Sequence, residues 1–501
     1  MSDVIGSFLS SITETIESPK VFSKKILTNE TKQKLLSYQN KHVLRMILIL
    51  LEHSICLDAS DTGVGKTYAA AASAKELGKK PIVVCPKTLI PTWISVLAYF
   101  NVEYYDVVNY ETLRNGKTYV NDKCKTRKAA EYLRIDEFDT NNPTKSIYQW
   151  NLPADAMLIF DEVHRCKDPK TDNGKLLMST HPLIRLGTPV LLLSATICEK
   201  LSGMKIMFYL FGIIPNTRNY NHYVKSLASK YPQYRVRKSH YPKKEDFLIA
   251  KENMVAMMIF EEIKDHTSRI RIKDLGDKFP ANQWCAQQFF AEEADKISEA
   301  YQEIAAHIRA LKDNPGSDHH LALIQKLKQE IELRKIPIFI EQAELYLEEG
   351  KSVIIFVNYL KTMKILSAEL NIKCKVHGGQ KMEERLGAID RFQTNQERII
   401  ICQARAGGVG IGLHDVYGGH PRAVLLNYPD SAADLLQELG RAPRSGAKSP
   451  VLQRIVFVAN VPYEKKIMSN INRKLANISA INDGDLEGYK YKVTKGRKKQ
   501  Q

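Results

Sequence analysis

The stretch ICLDASDTGVGKTYAAAASAKEL, residues 55–77, decides the fold. A short apolar run, ICLDA, enters a glycine-rich turn, and an alanine-rich stretch of good helix formers follows. Strand, glycine-rich loop and helix in that order are the setting a phosphate-binding loop needs. Gly63 and Gly65 let the backbone curl so that successive N–H groups face phosphate oxygens. A helix beginning near Lys66 adds the positive end of its dipole. Lys66 is placed to reach the β and γ phosphates of ATP, and the Thr67 hydroxyl to bind Mg²⁺. The expected nucleotide-binding set is therefore Ser60, Asp61, Thr62, Gly63, Val64, Gly65, Lys66 and Thr67. Ser60 stands where the general motif has its first glycine, and a GxGKT element alone is shared by many NTPase classes.

The other half of such a pocket is DEVH at 161–164, directly after the apolar run AMLIF. Asp161, at the end of a strand, can hold Mg²⁺ through water, and Glu162 can orient or deprotonate the attacking water. A pair of exposed acids at a loop start is common, but here a phosphate loop lies upstream. Runs rich in Val, Ile and Leu recur at 82–85, 157–160 and 190–193, then at 353–357, 398–402, 424–427 and 455–458. Continuous apolar strands alternating with helical stretches predict parallel sheets covered on both faces, and two separated groups predict two α/β lobes.

Between the groups, apolar residues from Gln287 to Leu311 keep a three-four spacing, DNPGSD (313–318) breaks it, and a second periodic stretch follows from Leu321. This predicts a helical hairpin whose stripe serves packing. The expected divisions are an N-terminal extension (1–30), a first lobe (31–215), a mainly helical linker or insert (216–335), a second lobe (336–480) and a basic tail (481–501).

At 501 residues, 44% hydrophobic and 26% charged, the chain reads as a globular protein of roughly two to four domains. Apolar runs such as Met46 to Leu51 are far too short to span a membrane, and no basic region opens the chain as a secretory signal would. An intracellular protein is expected, with no membrane partner. Eight cysteines without a CxxC pair argue against a zinc site or disulfide framework. The net charge of +17 favours a polyanionic partner, because neutralising phosphates releases condensed counterions. Six Lys/Arg and no acid between Gly488 and Gln501 predict a flexible basic arm, or alternatively a nuclear-import signal.

Further motifs carry a resemblance. Tyr38-Gln39 precedes the phosphate loop, CPKTLIPTW (85–93) follows the next strand, and LLSATI (192–197) follows DEVH. Later come VIIFVNY (353–359), VHGGQKMEERLGAIDRF (376–392), ARAGGVGIGL (404–413) and QELGRAPRSG (437–446). In this order they resemble the superfamily 2 helicases, and within them the SWI/SNF-like ATPases, over roughly residues 30 to 480. DEVHRCKD, the spacing from Pro86 to Trp93, RAGGVGIGL and the stretch 461–485 are similar to that branch. The SAT box at 194–196 is instead of the DEAD/DExH form, and Pro443 stands where the branch has histidine.

The resemblance implies two RecA-like P-loop lobes with a helical insert between them, ATP and Mg²⁺ as cofactors, and Gln39 as a reader of adenine. Ser60 then fits, since helicase-type loops use a small residue there. Gln437, Arg441 and Arg444, spaced four and three apart, share one face if they lie on a helix; the two arginines can then act as fingers on the transferring phosphoryl group. Ser194, Thr196 and Gly410 would couple the ATP site to lobe closure, and Lys87, Thr88, Thr112, His377, Gly378 and Arg405 would touch nucleic acid. Duplex DNA is the expected track, an RNA helicase the alternative, and a non-motor protein that binds ATP and nucleic acid the reading from another class. Pared-down motors of this sort resemble those of large DNA viruses and phages, which would add the virion or viral factory as locations. Targeting would come from a protein partner.

Overall fold

A computed structural model describes residues 26–121, 124–136, 147–314, 316–404, 411–429, 431–486 and 492–495. The first lobe opens with helix α1 (Gln39–His53), whose Val43, Met46, Ile47 and Leu50 recur at helical spacing and are buried. The apolar run Met46 to Leu51 thus lies in a core-packed helix. Strand β1 (Ile55–Asp58) leads through the glycine loop to α2 (Lys66–Leu77). Four strands follow: β2 (Lys80–Cys85), β3 (Asp106–Asn109), β4 (Ala156–Asp161) and β5 (Val190–Leu193). Helix α3 (Lys244–Ile263) then brings in a two-residue strand, β6 (Thr267–Ser268). The sheet order is β6-β1-β5-β4-β2-β3, and every pairing is parallel.

The second lobe is a seven-stranded sheet, also parallel throughout. Its strands are β7 (Asn282–Phe289), β8 (Ser352–Val357), β9 (Cys374–Val376), β10 (Ile399–Gln403), β11 (Arg422–Asn427), β12 (Val451–Val458) and β13 (Lys492–Lys495). Their order is β9-β10-β8-β11-β12-β7-β13. Along β8, Ile354 and Phe356 enter one core and Val353, Ile355 and Val357 the other. Apolar residues on both faces are what a doubly covered parallel sheet requires.

All seven apolar runs are strands, but the expected divisions need correction. The stretch 216–335 is no separate linker: β6 closes the first sheet and β7 belongs to the second, so the lobes part between them. The first stripe is helix only from Ala294, because Gln287 lies in β7 and Phe290 is exposed. Helices α4 (Ala294–Asp313) and α5 (Asp318–Arg334) do form the hairpin, and Ile297, Ile304, Ile324 and Leu327 join the second-lobe core. The basic tail supplies β13, an edge strand paired with β7. Residues 1–25 and 496–501 lie outside the described residues.

Two features fix how the lobes sit. Helix α6 (Ala432–Leu439) presents its N-terminus to the first lobe, where Ala432 N–H donates to Glu199 Oε2 at 2.8 Å. Helix α7 (Pro462–Asp483) buries Met468, Ile471 and Leu475 in the second-lobe core and Ala480 and Ile481 in the first. It is a brace between lobes. At its other end Glu464 pairs with Lys335 at 2.7 Å, both fully buried, and also accepts from Tyr301 and the Val458 N–H. Glu464→Ala leaves that ammonium buried without its carboxylate, so a loss of about 3–5 kcal/mol is expected, read as a lower denaturation midpoint. An unchanged midpoint would show that the pair carries no net stability.

No helix among the described residues is long and apolar enough to cross a membrane.

Candidate ATP site between the lobes

The strand order explains the site. β1, β5 and β4 are neighbours, so the phosphate loop, the SAT box and DEVH emerge side by side from the C-terminal edge of one sheet. Beneath the loop, Asp58 accepts from Ser60 N–H at 2.9 Å and contacts His42 at 3.1 Å, and His42 meets Ser268 of β6. Gly63 and Gly65 have φ of 86° and 91°, a backbone region open chiefly to glycine. Lys66 Nζ donates to the carbonyls of Ser60 and Asp61, at 2.8 and 3.0 Å. Thr67 stands second in α2, half-buried, with no hydrogen bond among the described residues.

The opening residues of the loop are tied to the connector between the lobes. Asp61 receives Arg269 at 2.8 Å and the Ile272 N–H at 2.8 Å, and Arg269 also grips Asp483 at the end of α7. Gln39 is buried, with its oxygen accepting from Leu36 N–H and its nitrogen donating to Val64 O at 2.9 Å. In this arrangement its amide fastens α1 to the phosphate loop. Val64 is buried against the same connector, beside Tyr38.

Asp161 is buried, accepting from Trp93 Nε1 and from Glu162 N–H, each at 2.9 Å. Burial and then the adjacent Glu162 carboxylate raise it above the ordinary range. Burial pushes Glu162 upward too, but the hydrogen bond and charge of His164, with Lys66 and Arg441, outweigh it and hold this carboxyl low. Glu162 adopts a left-handed backbone, φ 54°, at a cost on the order of 1–3 kcal/mol. Such strain gathers where a side chain must be aimed.

The second lobe closes the site. α6 ends at Leu439, so Gln437 lies in its last turn while Arg441 and Arg444 lie on the turn beyond Gly440. The single helix face expected for all three is not what brings them together. Pro443 cannot continue a helix, and the chain instead folds onto the phosphate loop. A Cβ on Gly440 would come within 1.8 Å of Thr62 Oγ1, and one on Gly63 within 2.8 Å of Pro443 O. Ser445 donates to Gly63 O from both N–H and hydroxyl, each at 3.1 Å, and its Oγ lies 2.5 Å from Tyr38 Oη. Arg441 is only 4% exposed, and its Nε has no partner among the described residues. Arg444 lies along Gly63, and burial followed by Arg441 lowers its pKa to about 9.

One residue without an assigned role proves central. His164 Nδ1 lies 3.1 Å from Ser194 Oγ and 3.3 Å from Glu162, and Gln437 Nε2 is 3.2 Å from its Nε2. Gln437 also reaches Glu162 at 3.4 Å. His164 therefore joins the acidic box, the SAT box and the second lobe. Thr196 donates its N–H to Ser194 Oγ, while its own hydroxyl is buried and has no partner among the described residues. His164→Ala should lower nucleic-acid-stimulated turnover by ~5–150-fold, the range of ordinary coupling energies, with a smaller change in basal turnover. Equal losses in the two rates would assign His164 to chemistry instead of coupling.

The residues expected at nucleic acid divide. Lys87 is exposed and Thr88 half-buried after β2; His377 and Gly378 lie after β9, with Gly378 N–H donating to Gln403. Thr112 must be corrected: it is fully buried and donates to Tyr119 Oη at 3.2 Å, so it supports the loop after β3 and reaches no track. Arg405 and Gly410 lie outside the described residues.

The family described as "Type III restriction enzyme, res subunit" matches residues 32–197, and "Helicase conserved C-terminal domain" matches 335–446. A protein of Acanthamoeba polyphaga mimivirus, named as an ATP-dependent RNA helicase, is 61% identical over 500 residues, 99% of this chain and 93% of that protein. Protein CHROMATIN REMODELING 24 of Arabidopsis thaliana is 27% identical over 150 residues, 26% of this chain but 13% of its own length. The structure of S. cerevisiae Dbp5 bound to RNA and ADP BeF3 aligns over 94% of both chains at 14% identity, with a TM-score of 0.43. The two family matches fall on the two lobes that meet at the phosphate loop, and the likeness to the mimivirus protein runs nearly end to end. The chain belongs to the superfamily 2 helicases and is an ATP-dependent helicase, a nucleic-acid-dependent ATPase.

Proposed function

We propose that ATP lies in the seam between Lys66, Thr67, Asp161 and Glu162 on the first lobe and Arg441 and Arg444 on the second, and that its hydrolysis drives movement along nucleic acid. The observation that carries this reading is that one chain folds its paired-arginine turn directly onto its own phosphate loop. The unpaired Thr67 hydroxyl and the buried Asp161 carboxylate fit Mg²⁺. Bound there, the ion would neutralise charge on the β and γ phosphates. Glu162 orients the attacking water, and Lys66 leaves its two carbonyls for the phosphates. Gln39 and the loop residues 60–67 seat the nucleotide, and Ser194 and Thr196 pass the state of the cleft through His164 to Gln437.

The track lies across the C-terminal edges of both sheets, met by Lys87 and Thr88 on one side and His377 and Gly378 on the other, chiefly through phosphates. Its identity has two readings. The DEVHRCKD box, the Pro86–Trp93 spacing and the Arabidopsis relative favour duplex DNA. The SAT box and the name of the mimivirus relative favour RNA at least as well. That relative also supports a viral origin and a place inside an infected cell. ATPase assays with duplex DNA, single-stranded DNA and RNA, paired with strand displacement, separate the readings. Stimulation by RNA alone would sink the DNA reading, stimulation by DNA alone the RNA reading, and no stimulation the motor itself.

A further inference from the structure

Between Glu199 and Glu245 the chain contains no acidic residue: the 45 residues 200–244 carry ten lysines and arginines, more than half the net charge of +17. This run is not a loose tail. The helix Tyr220–Lys230 buries Tyr220 and Leu227 against the first-lobe core. This helix and the turns after it are pinned to α3: Tyr223 and Tyr231 donate to Glu262 at 2.6 Å each, Lys230 pairs with Glu262 at 2.6 Å, and Tyr234 donates to Glu261 at 3.0 Å. Those anchors use the neighbouring carboxylates. Beyond them Arg235, Arg237, Lys238, Lys243 and Lys244 stand exposed, held by the tight turn Lys238–His240, and none makes an ion pair or side-chain hydrogen bond among the described residues.

Five cations within ten residues repel one another, and no ion pair among the described residues offsets that repulsion. A surface of this kind gains when a polyanion displaces its counterions. The anchors Tyr220, Leu227, Glu261 and Glu262 belong to the first lobe, while α3 also meets the brace α7, where Asn477 donates to Glu252 at 2.8 Å. None of those anchors is a residue of the ATP seam, so opening the cleft leaves them in place.

We infer that the ridge 235–244 is a second nucleic-acid contact outside the ATP cleft, which grips the phosphate backbone in every nucleotide state and keeps the motor on its track while the cleft contacts are released. The inference rests on the motor reading above. It deepens that reading by naming where a nucleotide-independent hold resides.

The test replaces Arg235, Arg237, Lys238, Lys243 and Lys244 by glutamine in the full chain. Binding to a labelled duplex DNA and to a single-stranded RNA is followed across salt, without nucleotide and with a non-hydrolysable ATP analogue. If each cation meets a phosphate, the salt slope falls by roughly 4.5 for duplex and 3.5 for single strand, and from 50 to 200 mM salt wild type loses ~10²–10³-fold more affinity than the variant. The loss should be equal in both nucleotide states, and nucleic-acid-free turnover and the melting temperature should stay at wild-type values. Arg235→Lys with Arg237→Lys, which keeps the charge, should bind as wild type. An unchanged slope, a loss confined to one nucleotide state, or an equal loss per charge on neutralising Lys312, Lys326, Lys465 and Lys466 overturns the inference. Wild type that binds neither probe would overturn the motor reading instead.

Discussion

Replacing Lys66 with alanine is expected to lower ATP turnover by ~10²–10³-fold or more, the cost of losing one preorganised donor to developing charge, while nucleic-acid binding largely persists. Lys66 is the first residue of α2, and its ammonium rests on the carbonyls of Ser60 and Asp61, within reach of a phosphate the loop would cradle. Alanine is a better helix former than lysine, and Gly63 and Gly65, not the lysine, give the loop its curl. The fold should therefore survive. Ser60 and Asp61 are also held from outside by the connector, through bonds from Ile270 N–H to Ser60 Oγ and from Asp61 N–H to Ile270 O. The surfaces proposed for the track lie at other strand ends. Steady-state ATPase at saturating nucleic acid, with binding followed by anisotropy, checks both halves. Unchanged turnover would refute the assignment of this loop, and lost binding with intact turnover would move Lys66 to the track.

How much of this was open to a reader of the sequence differs from element to element. The seven apolar runs are strands because Val, Ile and Leu buried on both faces leave no other reading of such short stretches. β7 escaped because Gln283, Gln287 and Gln288 interrupt its apolar residues, and β6 because two residues carry no pattern. Missing those two strands misplaced the boundary between the lobes. In the site, the spacing of Gln437, Arg441 and Arg444 pointed to convergence, and they do converge, but through a turn that Gly440 and Pro443 impose. Thr112 looked like a contact because a hydroxyl after a strand reads the same exposed or buried; only Tyr119, folded over it, decides. The role of His164 depends on three partners at 162, 194 and 437, whose meeting is a property of the tertiary fold. The histidine itself was legible in DEVH; its partners were not.

The same geometry makes Arg441 the residue through which the second lobe should matter most to hydrolysis. Its guanidinium is buried, its Nε has no partner among the described residues, and the Glu162 carboxylate acts on it across the seam. A group held this way contributes little to seating ATP on the first lobe, where Lys66, the loop N–H groups and Asp161 already lie. It contributes as charge spreads over the transferring phosphoryl group, which is the difference that lowers a barrier. Arg441→Ala is therefore expected to cut stimulated kcat by ~10³-fold or more, with ATP affinity changed far less. Arg441→Lys should recover only a fraction, since lysine restores the charge but not the planar fork. Arg444, packed along Gly63 of the phosphate loop, should give a loss of the same kind whose share in ATP binding is larger. Comparing kcat with the affinity for a fluorescent ATP analogue separates these roles. If Arg441→Ala weakens nucleotide binding as much as turnover, the arginine holds the ground state and the finger must be Arg444. If neither single variant affects kcat, the seam seen here is not the one in which ATP is hydrolysed.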